Sequence, residues 1–139
     1  MKKILILLFM LEAVFAGDIA IVKMTKGSPV VQRDGKNLNL SVGDKLNNKD
    51  ILITDKNSKV GVIFNDGSTL TLSEGSFLNI EEFTYEPIEE KYKFTLKLDR
   101  GETLFESGKM GEVSPENFEF KIPTGTIGIR GTKFIINLK

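Results

Sequence analysis

From Ile19 onward, apolar and polar residues alternate in short runs cut by Gly, Asp-Gly and Asn at regular intervals. That pattern is the signature of strands joined by turns, and it leaves little room for anything but an all-β chain. The clearest run sets Tyr92, Phe94, Leu96 and Leu98 against Lys91, Lys93, Lys97 and Asp99. A strand turns successive side chains to opposite faces, so such a run has one core face and one wet face. Nothing after residue 16 has helical periodicity. Ile19 and Ile21 open the first strand. Residues 76–90, with Glu81, Glu82, Glu86, Glu89 and Glu90 around Pro87, read as a solvated connection. Residues 107–117, with Gly108, Gly111, Ser114 and Pro115, read as the longest loop.

Two of these units align. Val30–Gly43 and Val62–Gly75 share 7 of 14 residues at an offset of 32, including Asp34-Gly35 and Asp66-Gly67. Looser copies follow around Gly101 and Gly131. A period near this length suggests one supersecondary unit used several times. The expected architecture is therefore repeated hairpins forming a twisted solenoid-like or sandwich-like all-β domain with essentially no helix. Face parity fixes the turns. Val60, Val62 and Phe64 share a core face with Leu70 and Leu72 only if Asn65-Asp66-Gly67 is a three-residue loop, a type I turn closed by a left-handed glycine. The same loop at Arg33-Asp34-Gly35 would pair Val30 with Leu38. Gly35 and Gly67 are the expected turn glycines, both at positive φ.

A second parity problem lies near the end. In Pro123-Thr124-Gly125-Thr126-Ile127-Gly128-Ile129-Arg130-Gly131-Thr132-Lys133-Phe134, the isoleucines Ile127 and Ile129 sit on odd positions. Phe134, Ile136 and Leu138 sit on even ones, and one continuous strand cannot bury both sets. Gly131 is the residue best suited to reset the face through a bulge. Arg130 is expected to brace backbone carbonyls at that break, with Thr132 assisting; the alternative is a fork for a partner's carboxylate.

The address is legible at the other end. Lys2 and Lys3, apolar Ile4–Leu11 and then Val14-Phe15-Ala16 form a signal-peptide pattern, with cleavage expected after Ala16. The mature domain would be 17–139, exported to the periplasm or cell surface. The apolar run is too short for a membrane span, so the mature chain is expected to have none. The 139 residues carry 19 basic and 19 acidic side chains, a balance that argues against nucleic acid as a partner. With no His or Cys, Ser–His–Asp and Cys–His catalysis, disulfides and imidazole or thiolate metal sites are excluded. No Ser-x-x-Lys occurs, and Gly125–Thr132 lacks the spacing and lysine of a phosphate loop. Glu81-Glu82 and Glu89-Glu90 are neighbours whose side chains should diverge on a strand. The expectation is a non-enzyme with no catalytic, cofactor or metal residues.

Several residues together resemble the FecR domain family. They are Val42-Gly43-Asp44, Ile53-Thr54, Phe64-Asn65-Asp66-Gly67-Ser68, Leu98-Asp99-Arg100-Gly101 and, most specifically, Pro123-Thr124 followed by Ile129-Arg130-Gly131-Thr132-Lys133-Phe134. Ile122 departs from the Thr that commonly precedes that proline. The resemblance implies a twisted β fold, with Pro123, Gly128, Arg130, Gly131, Thr132 and Phe134 as family-motif residues in structural roles. The founding regulator couples a cytoplasmic segment, a membrane span and a periplasmic sensing part. This chain is expected to have neither of the first two, and so not to carry a signal across the inner membrane alone. The expected role is contact with an unknown envelope protein, as sensing adaptor or scaffold. The alternative is a glycan- or peptide-binding module at the cell surface.

Overall fold

The computed structural model describes residues 18–128 and 133–138. The signal-like segment and Ile129, Arg130, Gly131 and Thr132 lie outside them, so the expected parity reset at Gly131 and bracing by Arg130 do too. The strands are β1 Ala20–Lys26, β2 Val30–Arg33, β3 Lys36–Asn39, β4 Lys45–Leu46, β5 Ile51–Ile53 and β6 Lys59–Phe64. They continue as β7 Thr69–Leu72, β8 Phe77–Glu86, β9 Lys91–Glu106, β10 Phe118–Ile122, β11 Gly125–Ile127 and β12 Lys133–Leu138. The chain is all-β, as the alternation predicts.

β9, the longest strand, holds the fold together because it belongs to two half-sheets. Its first part pairs with β8 on one side and with β10, in parallel, on the other. Its last part, from Gly101, pairs with β7 and with β12. One half-sheet therefore runs β3-β2-β5-β8-β9-β10-β11, and the other β4-β1-β6-β7-β9-β12. The halves close on each other through phenylalanines from both. Phe64 of β6 lies 5.3 Å from Phe83 and 4.8 Å from Phe94 across the core. Phe105 meets Phe118 at 5.0 Å, and Phe134 meets Phe120 at 5.8 Å. Each buried ring contributes on the order of 2–3 kcal/mol through area alone, so this file of rings is the main cohesive element.

Gly101 marks where β9 passes from one half-sheet to the other. Its φ is +98, and a Cβ there would lie 2.0 Å from Ser76 Oγ. Glu102 N–H donates to Ser76 Oγ at 3.0 Å, so backbone and serine touch directly. A bulge on β9 just before it, where Asp99 is the extra residue between Arg100 opposite Phe77 and Leu98 opposite Leu78, absorbs the bend. The looser third copy of the repeat is thus no hairpin; its glycine sits inside a strand.

Three other expectations need correction. The hairpin β2–β3 pairs Val31 with Leu38 and Arg33 with Lys36, leaving a two-residue loop in place of the expected three. Val31, not Val30, is its fully buried residue. The first strand starts at Ala20 and not at Ile19; Ala20 and Val22 face the core, and of the two isoleucines expected to open it Ile19 is buried just before it while Ile21 is 38% exposed. The acidic stretch 76–90 is mostly β8, whose Leu78, Ile80 and Phe83 are buried; only Pro87–Glu89, a 3₁₀ turn, is the solvated connection.

Residues 107–117 also depart from the expected helix-free loop. They contain a short helix, α1 Lys109–Val113, and a 3₁₀ turn Pro115–Asn117. A helix leaves its first N–H groups without internal partners, and here Asp66 supplies them from outside. Its carbonyl accepts Lys109 N–H at 2.8 Å and its carboxylate accepts Met110 N–H at 3.1 Å. The Met110 side chain is buried beneath.

Candidate functional site

With Phe94, Leu96 and Leu98 turned inward, β9 turns Lys93, Thr95 and Lys97 to the outer face of its half-sheet. Thr95 pairs in register with Glu82 of β8 and Glu119 of β10. These strands form the floor of an open cleft of about 410 Å3, whose lining is wholly polar or charged. Asn79, Glu81, Glu82 and Lys49 stand on the β8 side, and Glu119 and Lys121 on the β10 side.

A β-bulge shapes the β8 wall. Ile80 pairs with Leu96 and Glu82 with Thr95, so Glu81 is an extra residue. An unbroken strand would send Glu81 and Glu82 to opposite faces, as the sequence reading assumed. The bulge lets both line the cleft. The connection before β5 braces it. Asn48 Oδ1 accepts Phe83 N–H at 2.6 Å, and Asn48 Nδ2 donates to Phe83 O at 3.2 Å. Lys49 N–H donates to Ile80 O at 2.8 Å and Ile80 N–H to Asp50 O at 2.9 Å. Lys49 is held there at φ 76, a conformation uncommon outside glycine.

Two ion pairs cross the cleft. Lys121 Nζ lies 2.9 Å from Glu81 Oε1, and Lys93 lies 3.7 Å from Glu119. The hydrogen bond to Glu81, and then that carboxylate's charge, raise the Lys121 pKa above the ordinary lysine value. A raised lysine pKa stabilises the fold below the unfolded-state value and ceases to do so as pH climbs through the folded one. This pair therefore matters only below strongly alkaline pH. Lys49 and Glu82 have no ion-pair partner among the described residues. Thr95 is 4% exposed, and its hydroxyl has no hydrogen-bond partner among the described residues.

The motif residues from the sequence lie elsewhere. Pro123 and Gly128 are exposed around the β10–β11 hairpin, and Phe134 is half-buried against Phe105, Phe118 and Phe120. Gly35 and Gly67 sit in their turns at φ 77 and 90. None of these joins the cleft, and sequence reasoning singled out neither Thr95 nor Lys49. One signal was available: Thr95 is the uncharged residue in the outward series Lys91, Lys93, Thr95, Lys97, Asp99. A second fork did go unnoticed. Arg33 Nε and Nη2 donate to Asp50 Oδ1 and Oδ2 at 2.9 and 2.7 Å, with Asp50 1% exposed. That contact raises the Arg33 pKa, chiefly through the hydrogen bond. No cluster of three or more carboxylates placed to hold a metal occurs among the described residues.

The family model for FecR protein matches residues 50–139. The chain belongs to the FecR family, whose modules serve signalling and regulation at the cell envelope. The match starts at Asp50, so β1–β4 precede it. No match was found among curated proteins or among solved structures. Among the described residues no helix is long and apolar enough to cross a membrane.

Proposed function

We propose that this chain is an exported, non-enzymatic FecR-type module that works by contact with another envelope protein, as a sensing adaptor or scaffold in the periplasm or at the cell surface. The observation that carries this reading is the free edge of β12. Among the described residues its six-residue ladder pairs only with β9, and Ile135 stands 64% exposed on it. An open edge with exposed apolar side chains is a template for strand addition from a partner. Export follows from the signal-like segment, with a mature chain 17–139; intact mass from the native envelope should begin at Gly17, and a retained Met1 would refute it.

A photo-crosslinker placed at Ile135 in cells tests the contact, with Val42 as control because it is 63% exposed but lies away from β12. One envelope protein captured from position 135 and not from 42, and lost in Ile135→Asp, is the expected result. Equal capture from both positions would sink the reading. A glycan-binding role has weaker support. Sugar sites lean on aromatic platforms, yet the Tyr85 and Tyr92 rings lie tilted against each other at 6.0 Å and pack on the core, and the cleft is lined by no aromatic residue.

A further inference from the structure

We propose that the cleft around Thr95 binds a small zwitterion, a molecule of amino-acid to dipeptide size that carries both an ammonium and a carboxylate group. This site is independent of the β12 edge and of any partner docked there. Thr95 is the first reason. It lies mid-strand between two hydrogen-bonded neighbours at the floor of the cleft, more than nine-tenths buried, and its buried hydroxyl has no partner among the described residues. A valine would fill the same volume without that unmet hydroxyl, so threonine gains a rationale only if something in the cleft bonds to it.

Charge defines what that something is. The lining carries Lys49, Lys93 and Lys121 against Glu81, Glu82 and Glu119, three of each sign interleaved on three strands and a loop. A nucleotide or polyphosphate would meet three carboxylates, and a polycation three ammonium groups. A ligand bearing both signs meets a partner for each. Two of the lysines are already engaged by Glu81 and Glu119, which leaves Lys49 for a carboxylate and Glu82 for an ammonium group. Both are presented by fixed backbone. Glu82 follows the bulge, and Lys49 is pinned at positive φ by its bond to Ile80 and by the Asn48 clamp on Phe83. Strain kept in place by such over-determination is characteristic of binding sites, and it lowers the ordering cost of association. A volume of about 410 Å3 lies at the small end of ligand sites, which leaves room for a guest of amino-acid to dipeptide size.

Titrating the isotope-labelled protein by two-dimensional NMR decides the matter, with glycine and alanyl-alanine as probes and acetate, methylammonium and inorganic phosphate as single-sign controls. Saturable shifts confined to amides around residues 49, 79–82, 95 and 119–121, with either zwitterion, are expected; the stronger of the two reports the size of the guest. Thr95→Val should weaken binding about tenfold without lowering the melting temperature, and Lys49→Met and Glu82→Gln should each weaken it by a similar factor. Three results would overturn the proposal: no saturable shift up to about 10 mM of either probe, equal shifts from the single-sign controls, or wild-type affinity in Thr95→Val. The first of these would leave the hydroxyl to an ordered water.

Discussion

The hairpins β2–β3 and β6–β7 come from segments that align residue for residue, yet they close differently. In β2–β3 the loop is Asp34-Gly35, both at positive φ (53 and 77), which is the two-residue form that follows the twist of the strands. In β6–β7 Phe64 N–H donates to Ser68 O at 2.8 Å and Gly67 N–H to Phe64 O at 2.9 Å, so Asn65-Asp66-Gly67 makes a three-residue loop. One residue of loop length turns the first strand over. Val31 and Val62 are each 2% exposed, although Val62 aligns with Val30. The second strands differ too: Leu40, just past β3, is buried as Leu72 is, but all of β3 is exposed, with Leu38 at 46% where its counterpart Leu70 is at 1%. The side chain before the turn decides between the two forms. Phe64 must enter the ring cluster, whereas its counterpart Gln32 stays half-exposed and donates to Asn37 Oδ1 at 3.3 Å. Asp-Gly permits either turn; burial selects one.

The two hairpins are also anchored by different polar contacts, and removing the anchors should separate them most. Arg33, at the end of β2, holds Asp50. Arg33→Ala leaves that carboxylate buried without its partner, which costs about 3 kcal/mol. Lys should restore only part, because an ammonium cannot span both oxygens. Chemical denaturation of the three proteins checks the order. In β6–β7 the anchor is Asp66, which accepts Ser68 N–H at 3.0 Å, the Ser68 hydroxyl at 2.8 Å and Met110 N–H at 3.1 Å. Asp66→Asn places an amide where donors converge and should cost roughly 2 kcal/mol. It should also speed hydrogen exchange across α1. Asp34→Asn, at an exposed position whose left-handed backbone asparagine tolerates, should stay within about 0.5 kcal/mol. Equal losses in the two asparagine variants would remove the distinction between the hairpins.

That distinction was half legible in the sequence. Phe64, Leu70 and Leu72 announce their common face, and the three-residue loop follows from them by parity alone. The two-residue loop was hidden because Val30 and Val31 are both apolar, so neither declares itself the core residue. Gln32 did, had it been set against Phe64. β8 was obscured by its glutamates, yet Leu78 and Ile80 on even positions followed by Phe83 and Tyr85 on odd ones carry the same signature of a bulge that was recognised near Gly131. The cleft was less legible still. Thr95, Glu82, Glu119 and Lys49 are far apart in sequence, and only the parallel pairing of β9 with β10 and the brace of Asn48 bring them together. Neither pairing leaves a local pattern.

The finest difference, a few tenths of a kcal/mol between two glycine variants, isolates the turns themselves. A Cβ added at Gly35 or Gly67 meets no atom within 4 Å, so alanine there costs only the left-handed backbone, about 1 kcal/mol at each site. The two sites should not be identical. Gly67, at φ 90, lies further from the left-handed minimum near +57° than Gly35 at 77, so its alanine variant should be the worse by a few tenths of a kcal/mol. Asparagine should recover most of the loss at Gly35 and less at Gly67 for the same reason. Melting curves of the four variants give the ranking. Cross-strand proton contacts between Val31 and Leu38, and between Val62 and Leu70, report whether each register survives. If Gly35→Ala instead switches β2–β3 to the longer loop and brings Val30 opposite Leu38, then the short turn depends on Gly35 itself and not on the burial of Val31.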